Sequence, residues 1–541
     1  MTPATRHVPS GNFSVFRLIV DDWSNIHGFD ETLKVRGLPG TLWFLATNEW
    51  IASMPPRIFG LSWVVQTLVG YLGRYSPIPY FLFILLFHLL GSCLVARLAS
   101  RFLRSLWHGF VCGAIVLLPP TSSNALFFLN NWFFVLPFQL LILQIYWICT
   151  PSDRRWLDVL RISVVTMIAE LSGEQTIPLL YAGLVLFLIP AMVRGIRNRS
   201  WYGAVRLAVP MLLGLVTLAV YVLFLMRSTP QPSALPHQSP AVVFEVVRKY
   251  ILEYGKLMGR MLDVTSWVFG GFSVRPGMRM IATSSLSSLI LLWATFRLAP
   301  LSLRSPRMVD LWKMAGWCAA CAVGAALPCL YGALTGERTS SATRYIYVAA
   351  IPTLLLVVAL LSMLIKLSPF VIARTLALLL TGAIAYLGFT MTYSLQEVWR
   401  SQKVADDRAW AVVDAAMTDR IRAIVTYNLV DDRPQLAPVG MSDALSDFAA
   451  NWGVSSRLWV KYGHPFIIAQ DAQEVPAEGR VKLYLILCRG RDGGERRGPV
   501  RDGTVRAEIS DARRLGCSCH NRLCRIRPTE AECPQKHAVR T

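Results

Sequence analysis

Long apolar runs separated by short polar connections fill the chain from residue 79 to residue 393. Ten of them approach the roughly 20 apolar residues that an α-helix needs to cross a bilayer. They cover residues 79–98, 108–119, 132–149, 160–172, 178–193, 205–226, 283–298, 313–333, 345–366 and 371–393. The second is short and the fourth contains Glu170, so these two are the weakest candidates. The pattern predicts an all-α polytopic membrane protein with about ten transmembrane helices.

Basic residues mark every second connection between these runs. They are Arg97, Arg101 and Arg104, then Arg154 and Arg155, then Arg194, Arg197 and Arg199, then Arg297, Arg304, Arg307 and Lys313, and finally Lys366 and Arg374. Loops rich in Lys and Arg stay on the cytoplasmic side of a membrane. The alternation therefore predicts an inner or plasma membrane protein. Its extracytoplasmic parts are the polar N-terminal segment, Pro119–Asn131, the Ser172–Gln175 turn, the 227–282 loop, Thr335–Arg344 and everything after 394.

The amino terminus fits this topology in two ways, and both stay open. Residues 1–20 contain no apolar run long enough for a signal peptide or a span. Either a first transmembrane helix is missing from the start of this sequence, or the amino terminus crosses the membrane without a leader. The aromatic and polar region from Leu42 to Tyr75, which is interrupted by Pro55-Pro56, predicts short helices at the membrane interface.

Two further regions lie outside the apolar runs of the membrane domain, which we place at 1–394. Residues 241–262 carry apolar side chains at helical spacing, which predicts an amphipathic helix on the outer membrane surface. Residues 395–490 predict a small soluble extracytoplasmic α/β domain, with helical character at Val404–Ala423 and strand character at Ala423–Val430 and Val481–Cys488.

The basic tail at 491–541 is rich in Arg and Gly, and its composition predicts disorder. Its cysteines and histidine fit no common zinc spacing well. We interpret them as an accidental cluster, with disulfides as the alternative in an oxidising compartment. They are Cys517, Cys519, His520, Cys524 and Cys533.

Composition agrees with the membrane assignment. Only 16% of the 541 residues are charged, against about 25% in soluble domains. The net charge of +21 comes from residues between the spans and in the tail, so it indicates topology and contact with anionic lipid. We therefore expect membrane lipid as a partner and no nucleic acid.

The adjacent carboxylates Asp21 and Asp22 are the first candidate for chemistry on the outer side. Sugar transfer requires a carboxylate that deprotonates an acceptor hydroxyl or holds a metal beside a phosphate leaving group. A divalent metal is therefore a candidate cofactor, although the residues do not identify its ligands. The alternative is a helix-capping or solvated acidic pair.

Two more outer connections carry charge beside apolar helices. Glu174 lies in the turn Leu171-Ser172-Gly173-Glu174-Gln175, where an ionised group is costly unless it is paired or wetted. An exposed, unpaired turn acid is the alternative, and Glu170 shares that ambiguity. Arg338 and Arg344 suit bidentate binding of a phosphate, while Tyr345 beside them fits the interfacial aromatic belt.

These features occur in an order that resembles the GT-C superfamily of membrane glycosyltransferases, especially its protein O-mannosyltransferase-like members and their bacterial relatives. The order is an acidic pair, a Pro-Arg pair ending at Arg57, a span reading Leu-Leu-Phe-His-Leu-Leu around His88, then Leu-Ser-Gly-Glu-Gln…Pro and Arg-Tyr-Ile-Tyr…Pro. The likeness covers roughly residues 15–370. Taken alone, His88 is better interpreted as a core histidine.

The resemblance implies an inverting transfer from a polyprenyl-phosphate-linked sugar to an extracytoplasmic glycan, lipid or protein. Asp21 or Asp22 would be the catalytic base or the metal-associated acid. Glu174 and Arg57 would lie in the substrate site, and Arg338, Arg344 and Tyr345 at the donor phosphate. Gly173 stands where many relatives carry lysine.

Two rival functions stay open. One is a transporter or flippase of lipid-linked glycans, which would place charges near the middle of the membrane. The other is a cell-envelope glycan polymerase or ligase that works through the 227–282 loop, with His237, Arg248 and Arg260 as candidates.

Overall fold

The computed structural model describes most of the apolar part of the chain and seven segments beyond it. The described residues are 20–46, 60–73, 77–117, 132–173, 176–228, 278–298, 306–334, 347–369, 371–373, 375–390, 423–427, 451–462, 467–469, 482–487, 505–510, 516–520 and 523–527, with a few single residues at 241, 244, 245, 248, 252, 393, 407, 410 and 411.

Helices make up the described residues as far as 390. They are α1 (Val20–Ala46), α2 (Gly60–Leu72), α3 (Pro77–Leu103), α4 (Leu106–Leu117), α5 (Trp132–Cys149), α6 (Arg155–Ser172), α7 (Ile177–Asn198), α8 (Tyr202–Ser228), α9 (Met278–Leu298), α10 (Met308–Leu334), α11 (Tyr347–Leu367) and α12 (Val371–Thr390). Each predicted span coincides with one helix from α3 to α12. The apolar pattern therefore located these helices correctly.

Four of these helices are long and apolar enough to cross a membrane, judged by length and composition. They are Ile78–Leu103, Ile177–Asn198, Tyr202–Phe224 and Val371–Thr390. In α8, Leu212, Val216 and Leu223 are each more than half exposed. A contiguous exposed apolar face of this kind suits contact with lipid. The total of ten spans stays a prediction.

The polar N-terminal segment is helical from Val20 onward, and the pattern of apolar runs did not predict this helix. Helix α1 contains Asp21 and Asp22 in its first turn, and it bends at Gly37, whose φ of 67° lies in the left-handed region. Tertiary packing explains the helix, because Phe29 is buried and meets the Trp63 ring of α2 edge to face at 6.0 Å. Helix α1 also contacts α13 (Asn451–Tyr462).

Helix α2 lies across the ends of two other helices. Near its start, the Ser62 hydroxyl donates to the backbone oxygen of Ser172, the last residue of α6, at 2.6 Å. Near its end, Gly70 lies so close to Tyr80 of α3 that a Cβ atom would fall 1.7 Å from the tyrosine oxygen. The location of α2 at the membrane interface stays a prediction.

Aromatic and small residues build the main core. Trp132 is buried and stacks on Phe83 with ring centroids 4.9 Å apart. Helices α3 and α4 approach closely because small residues line their contact: a Cβ atom at Gly109 would lie 1.8 Å from the Ser100 hydroxyl. Small residues allow helices in membranes to pack this closely.

An ion network joins α5, α6 and α8 at the end opposite to Ser172. Asp158 is fully buried and pairs with Arg161 at 2.5 Å and with Arg206 at 3.0 Å. The same two arginines donate to the last carbonyls of α5, Arg206 to Trp147 and Arg161 to Thr150. Carbonyls at a helix C-terminus lack partners within their own helix. The network therefore satisfies them and fixes the three helices together.

The C-terminal residues form two small sheets. The first has the order β2-β1-β3-β4, from β1 (Ala423–Tyr427), β2 (Ile467–Ala469), β3 (Lys482–Leu487) and β4 (Val505–Ser510). β1 pairs in parallel with β2 and β3, and β4 is antiparallel to β3. The strands β5 (Gly516–His520) and β6 (Leu523–Arg527) form the second sheet.

Two C-terminal features bear on the domain boundaries. β1 and β3 lie at the positions that the sequence marked as strands, whereas β4 to β6 lie beyond residue 490 in the segment whose composition predicts disorder. The proposed domain boundaries and the extracytoplasmic position of this part stay predictions.

The predicted surface helix at 241–262 is described at five single residues, all of them helical. Phe244 and Leu252 are more than half exposed, and the Arg248 guanidinium pairs with Glu245 at 2.6 Å. The location of this helix on the outer membrane surface stays a prediction.

Candidate active site at one end of the helix bundle

Helices α1, α2, α6 and α8 meet at the end of the bundle where α6 terminates. Besides the bond between Ser62 and Ser172, the Tyr221 hydroxyl of α8 donates to the backbone oxygen of Ala46 at 2.7 Å. Trp43 of α1 meets Phe224 of α8 edge to face at 5.9 Å. Positions remote in sequence therefore lie side by side at this end.

Gly60 is required for this junction. A Cβ atom there would lie 2.6 Å from the Ala46 oxygen and 2.7 Å from the Tyr221 hydroxyl. Real Cβ atoms do not approach a backbone oxygen so closely, and a rigid backbone atom cannot easily move away. The start of α2 therefore passes directly against the end of α1.

Glu170 supplies a carboxylate inside the bundle at the same end. It is fully buried in α6, and one of its oxygens accepts a hydrogen bond from the Tyr181 hydroxyl of α7. A Cβ atom at Gly214 of α8 would lie 2.5 Å from that same oxygen, so α8 closes over the pair. The other oxygen, Oε2, has no hydrogen-bond partner among the described residues.

The turn between α6 and α7 carries the predicted acid Glu174. On either side of it, the Thr176 hydroxyl donates to the Gly173 oxygen at 3.1 Å. The side chain and backbone of Glu174 itself lie outside the described residues. The described residues that precede this turn include Ser172, which accepts the Ser62 hydrogen bond, and the buried Glu170.

The other predicted site residues are located less completely. Asp21 and Asp22 lie in the first turn of α1, but their side chains are outside the description. Arg57, Arg338, Arg344 and Tyr345 fall in stretches that the structure does not describe. Their roles stay predictions.

His88 occupies the core position that its apolar surroundings indicate. The ring is buried between α4 and α5, with Nε2 3.4 Å from the Leu117 oxygen and Nδ1 3.4 Å from the Gln139 amide nitrogen. A ring held on both sides in this way packs three helices together. We assign it a structural role.

Metal binding finds no support within the described part of the chain. No three His, Cys, Asp or Glu side chains there lie close enough to hold an ion. The metal that the acidic pair suggests therefore stays a prediction, since the side chains of Asp21 and Asp22 are not among those that the structure describes.

Sequence reasoning did not identify Tyr181, Gly60, Tyr221 or Ser62. Tyr181 could have been predicted from the sequence. Glu170 and Tyr181 lie about equally far from the α6–α7 turn, and an antiparallel helical hairpin brings such positions together. The other three act through contacts between helices remote in sequence, and helical periodicity does not indicate which faces meet.

Comparisons with known proteins give few matches. No protein-family model matches the chain, and no curated protein matches it significantly. Two crystal structures of ArnT from Cupriavidus metallidurans align with 88% of this chain and 90% of their own, one in the apo state and one bound to undecaprenyl phosphate. The identities are 14% and 13%, and both TM-scores are 0.35. Similarity at this level does not establish a common fold. The apolar helices themselves identify the chain as a multi-pass membrane protein.

Proposed function

We propose that this protein is an integral membrane glycosyltransferase of the GT-C type. It transfers a sugar, with inversion, from a polyprenyl-phosphate-linked donor to an extracytoplasmic glycan, lipid or protein. The ordered motifs of the sequence suggest this chemistry, and one observation in the structure carries it further: α1, α2 and α6 are joined at a single end of the bundle.

The contacts at that junction support the proposal that the two predicted acidic segments act in the same region. Helix α1 carries the acidic pair and packs on α2 through Phe29 and Trp63, while α2 bonds to Ser172, two residues before Glu174. Asp22 and Phe29 are seven positions apart within α1, which is an axial rise of about 10 Å at about 1.5 Å per residue. The acidic pair therefore begins about 10 Å along α1 from the residue that contacts α2.

Each predicted site residue has a separate role in the proposed sugar transfer. A carboxylate of the acidic pair removes the proton from the acceptor hydroxyl as it attacks the anomeric carbon, and the polyprenyl phosphate leaves with the electrons of the broken C–O bond. Arg338 and Arg344 stabilise the departing phosphate, with which a planar guanidinium forms paired hydrogen bonds. Glu174, Arg57 and Tyr345 orient the sugar and the phosphate.

Lipid contact supports a membrane-bound donor. The bundle has exposed apolar faces, and one of them is formed by Leu212, Val216 and Leu223 on α8. Such a face can contact the polyprenyl chain of a donor as well as bilayer lipid. In this proposal α2 and the predicted 241–262 helix lie at the membrane interface, at the depth of the donor phosphate. The reacting groups would then meet at the level of the lipid headgroups.

Replacing the acids tests the proposal. In membranes that contain full-length protein and natural acceptors, Asp21→Asn or Asp22→Asn should lower transfer of radiolabelled sugar by about 100-fold or more, the contribution of a general base. Asp153→Asn is the matched control, because Asp153 is an exposed acid at the other end of the bundle. Full transfer by both acidic-pair variants would refute the catalytic assignment.

A flippase of lipid-linked glycans is the second candidate, and Glu170 is the observation that favours it. Transporters use ionisable groups enclosed within their helices, and Glu170 is buried among α6, α7 and α8. In a flippase, Glu170→Gln would slow the crossing of a labelled lipid-linked sugar, and the donor would emerge chemically unchanged. In a transferase, the label would move to a new acceptor.

A further inference from the structure

A cluster of exposed arginines surrounds the ion network at the end of the bundle opposite to the candidate active site. They lie at the start of α6, the end of α7 and the α7–α8 turn, and all are exposed: Arg154, Arg155, Arg194, Arg197 and Arg199. None of the five forms an ion pair with a carboxylate of the described residues. Their charge is therefore available to a ligand.

Contacts between the helices bring these arginines together. The Tyr202 hydroxyl at the start of α8 donates to the backbone oxygen of Arg155 at 3.3 Å, and the Arg155 guanidinium lies over the Tyr202 ring at 4.9 Å. The end of α7 is equally close, because a Cβ atom at Gly195 would lie 3.2 Å from the Trp201 ring. The starts of α6 and α8 and the end of α7 thus form one surface.

Two exposed tryptophans give the depth of this surface in the membrane. Trp156 is 63% exposed and Trp201 is 49% exposed. Tryptophan is enriched at the level of the lipid headgroups, where its ring meets apolar chains and its N–H meets water. The arginines beside these rings are therefore at the depth of lipid phosphates.

The neighbouring acids do not neutralise the cluster. Asp158 is buried and already accepts from Arg161, Arg206 and the Ser152 backbone nitrogen. Asp153 is exposed but pairs with none of the five arginines. The surface therefore presents five positive charges against one negative charge.

We propose that this surface, the arginine–tryptophan face, binds the headgroups of anionic phospholipids in the adjacent leaflet. Guanidinium groups form paired hydrogen bonds with phosphate oxygens, and basic residues near a membrane surface attract anionic lipid. The Asp158 network fixes α6 to α8, and the contact of Gly195 with Trp201 holds the end of α7 beside the start of α8. This site is independent of sugar transfer.

Lipid titration of the full-length protein tests the proposal. In native mass spectrometry from detergent, the wild type should retain phosphatidylglycerol in preference to phosphatidylcholine with the same acyl chains. Arg154→Gln with Arg197→Gln should weaken phosphatidylglycerol binding about 30-fold, since each arginine near an anionic surface contributes about fivefold. Arg101→Gln with Arg297→Gln is the matched control, because both are exposed basic residues outside this face.

The outcomes separate the lipid from other ligands. The proposal is supported if only the Arg154/Arg197 variant loses phosphatidylglycerol while both variants elute as folded, monodisperse protein. It is overturned if the two variants lose the lipid equally or if phosphatidylcholine is retained as well as phosphatidylglycerol. Displacement of the lipid by an equal concentration of inorganic phosphate would also overturn it, because the ligand would then be free phosphate.

Discussion

Single residues fix the candidate active site more firmly than the apolar pattern does. The backbone oxygen of Ala46, the hydroxyl of Tyr221 and the missing side chain of Gly60 form one contact between three helices. Likewise, Glu170 is held by Tyr181 and covered by Gly214. In both places a glycine allows a polar group to approach the backbone of another helix, so these positions are sensitive to a single methyl group.

Gly60→Ala should destabilise the protein by about 1–3 kcal/mol, the usual cost of inserting atoms into a packed contact. The new methyl group would collide with the Ala46 oxygen, which is a backbone atom. Thermal unfolding in detergent measures the effect. Gly183→Ala is the control, because nothing lies within 4 Å of a Cβ atom there. In a helix interior that change is expected to raise stability by about 0.5–1 kcal/mol. Equal shifts in the two variants would contradict the described junction.

Tyr181→Phe should cost about 1–3 kcal/mol, because it removes the only described hydrogen bond to the buried Glu170 carboxyl group. Tyr386→Phe serves as the comparison, since no described hydrogen bond involves that hydroxyl. The unfolding midpoint in detergent again reports the difference. An unchanged midpoint for Tyr181→Phe would mean that Glu170 is not enclosed as described.

At the scale of elements, the sequence predicted positions better than contacts. The ten apolar runs coincide with α3 to α12 because a helix in lipid must present apolar side chains along its whole length. Helix α1 was missed because its first half is polar, and its stability comes from Phe29 packing on Trp63. The bond between Ser62 and Ser172 joins residues 110 positions apart. No local pattern encodes such a partner.

Asp158 also connects helices that are remote in sequence, at the end of the bundle opposite to Ser172. The sequence marked Arg154 and Arg155 as cytoplasmic charges, but it did not show that a buried aspartate beside them would pair with Arg161 and Arg206. A buried carboxylate is tolerated only when hydrogen bonds and opposite charges surround it. The network therefore holds α5, α6 and α8 together.

Asp158→Asn should destabilise the protein by about 3–5 kcal/mol, because two largely buried guanidinium groups would lose their counter-charge. Asp153→Asn, on an exposed acid five residues earlier, should change stability by less than about 0.5 kcal/mol. Chemical unfolding of the two variants in detergent compares them directly. Similar losses of unfolding free energy in both variants would show that the network does not hold the three helices together.

At the scale of the whole molecule, the two ends of the bundle carry different chemistry. One end joins the helices that bear the acidic pair and the Glu174 turn, and the other concentrates arginines around Asp158. This polarity agrees with a protein that faces anionic lipid on one side and performs sugar transfer on the other. The conclusion depends on contacts at both ends, since the apolar helices alone would suit a transporter equally well.

The fate of a labelled donor tests the central claim most directly. Full-length protein in proteoliposomes would receive a panel of polyprenyl-phosphate sugars, radiolabelled in the sugar, together with an extract of natural acceptors. A transferase should move the label from the lipid carrier to an acceptor and release unlabelled polyprenyl phosphate. If the label crosses the bilayer and remains on its carrier with every donor, the protein is a flippase and the proposed function is wrong.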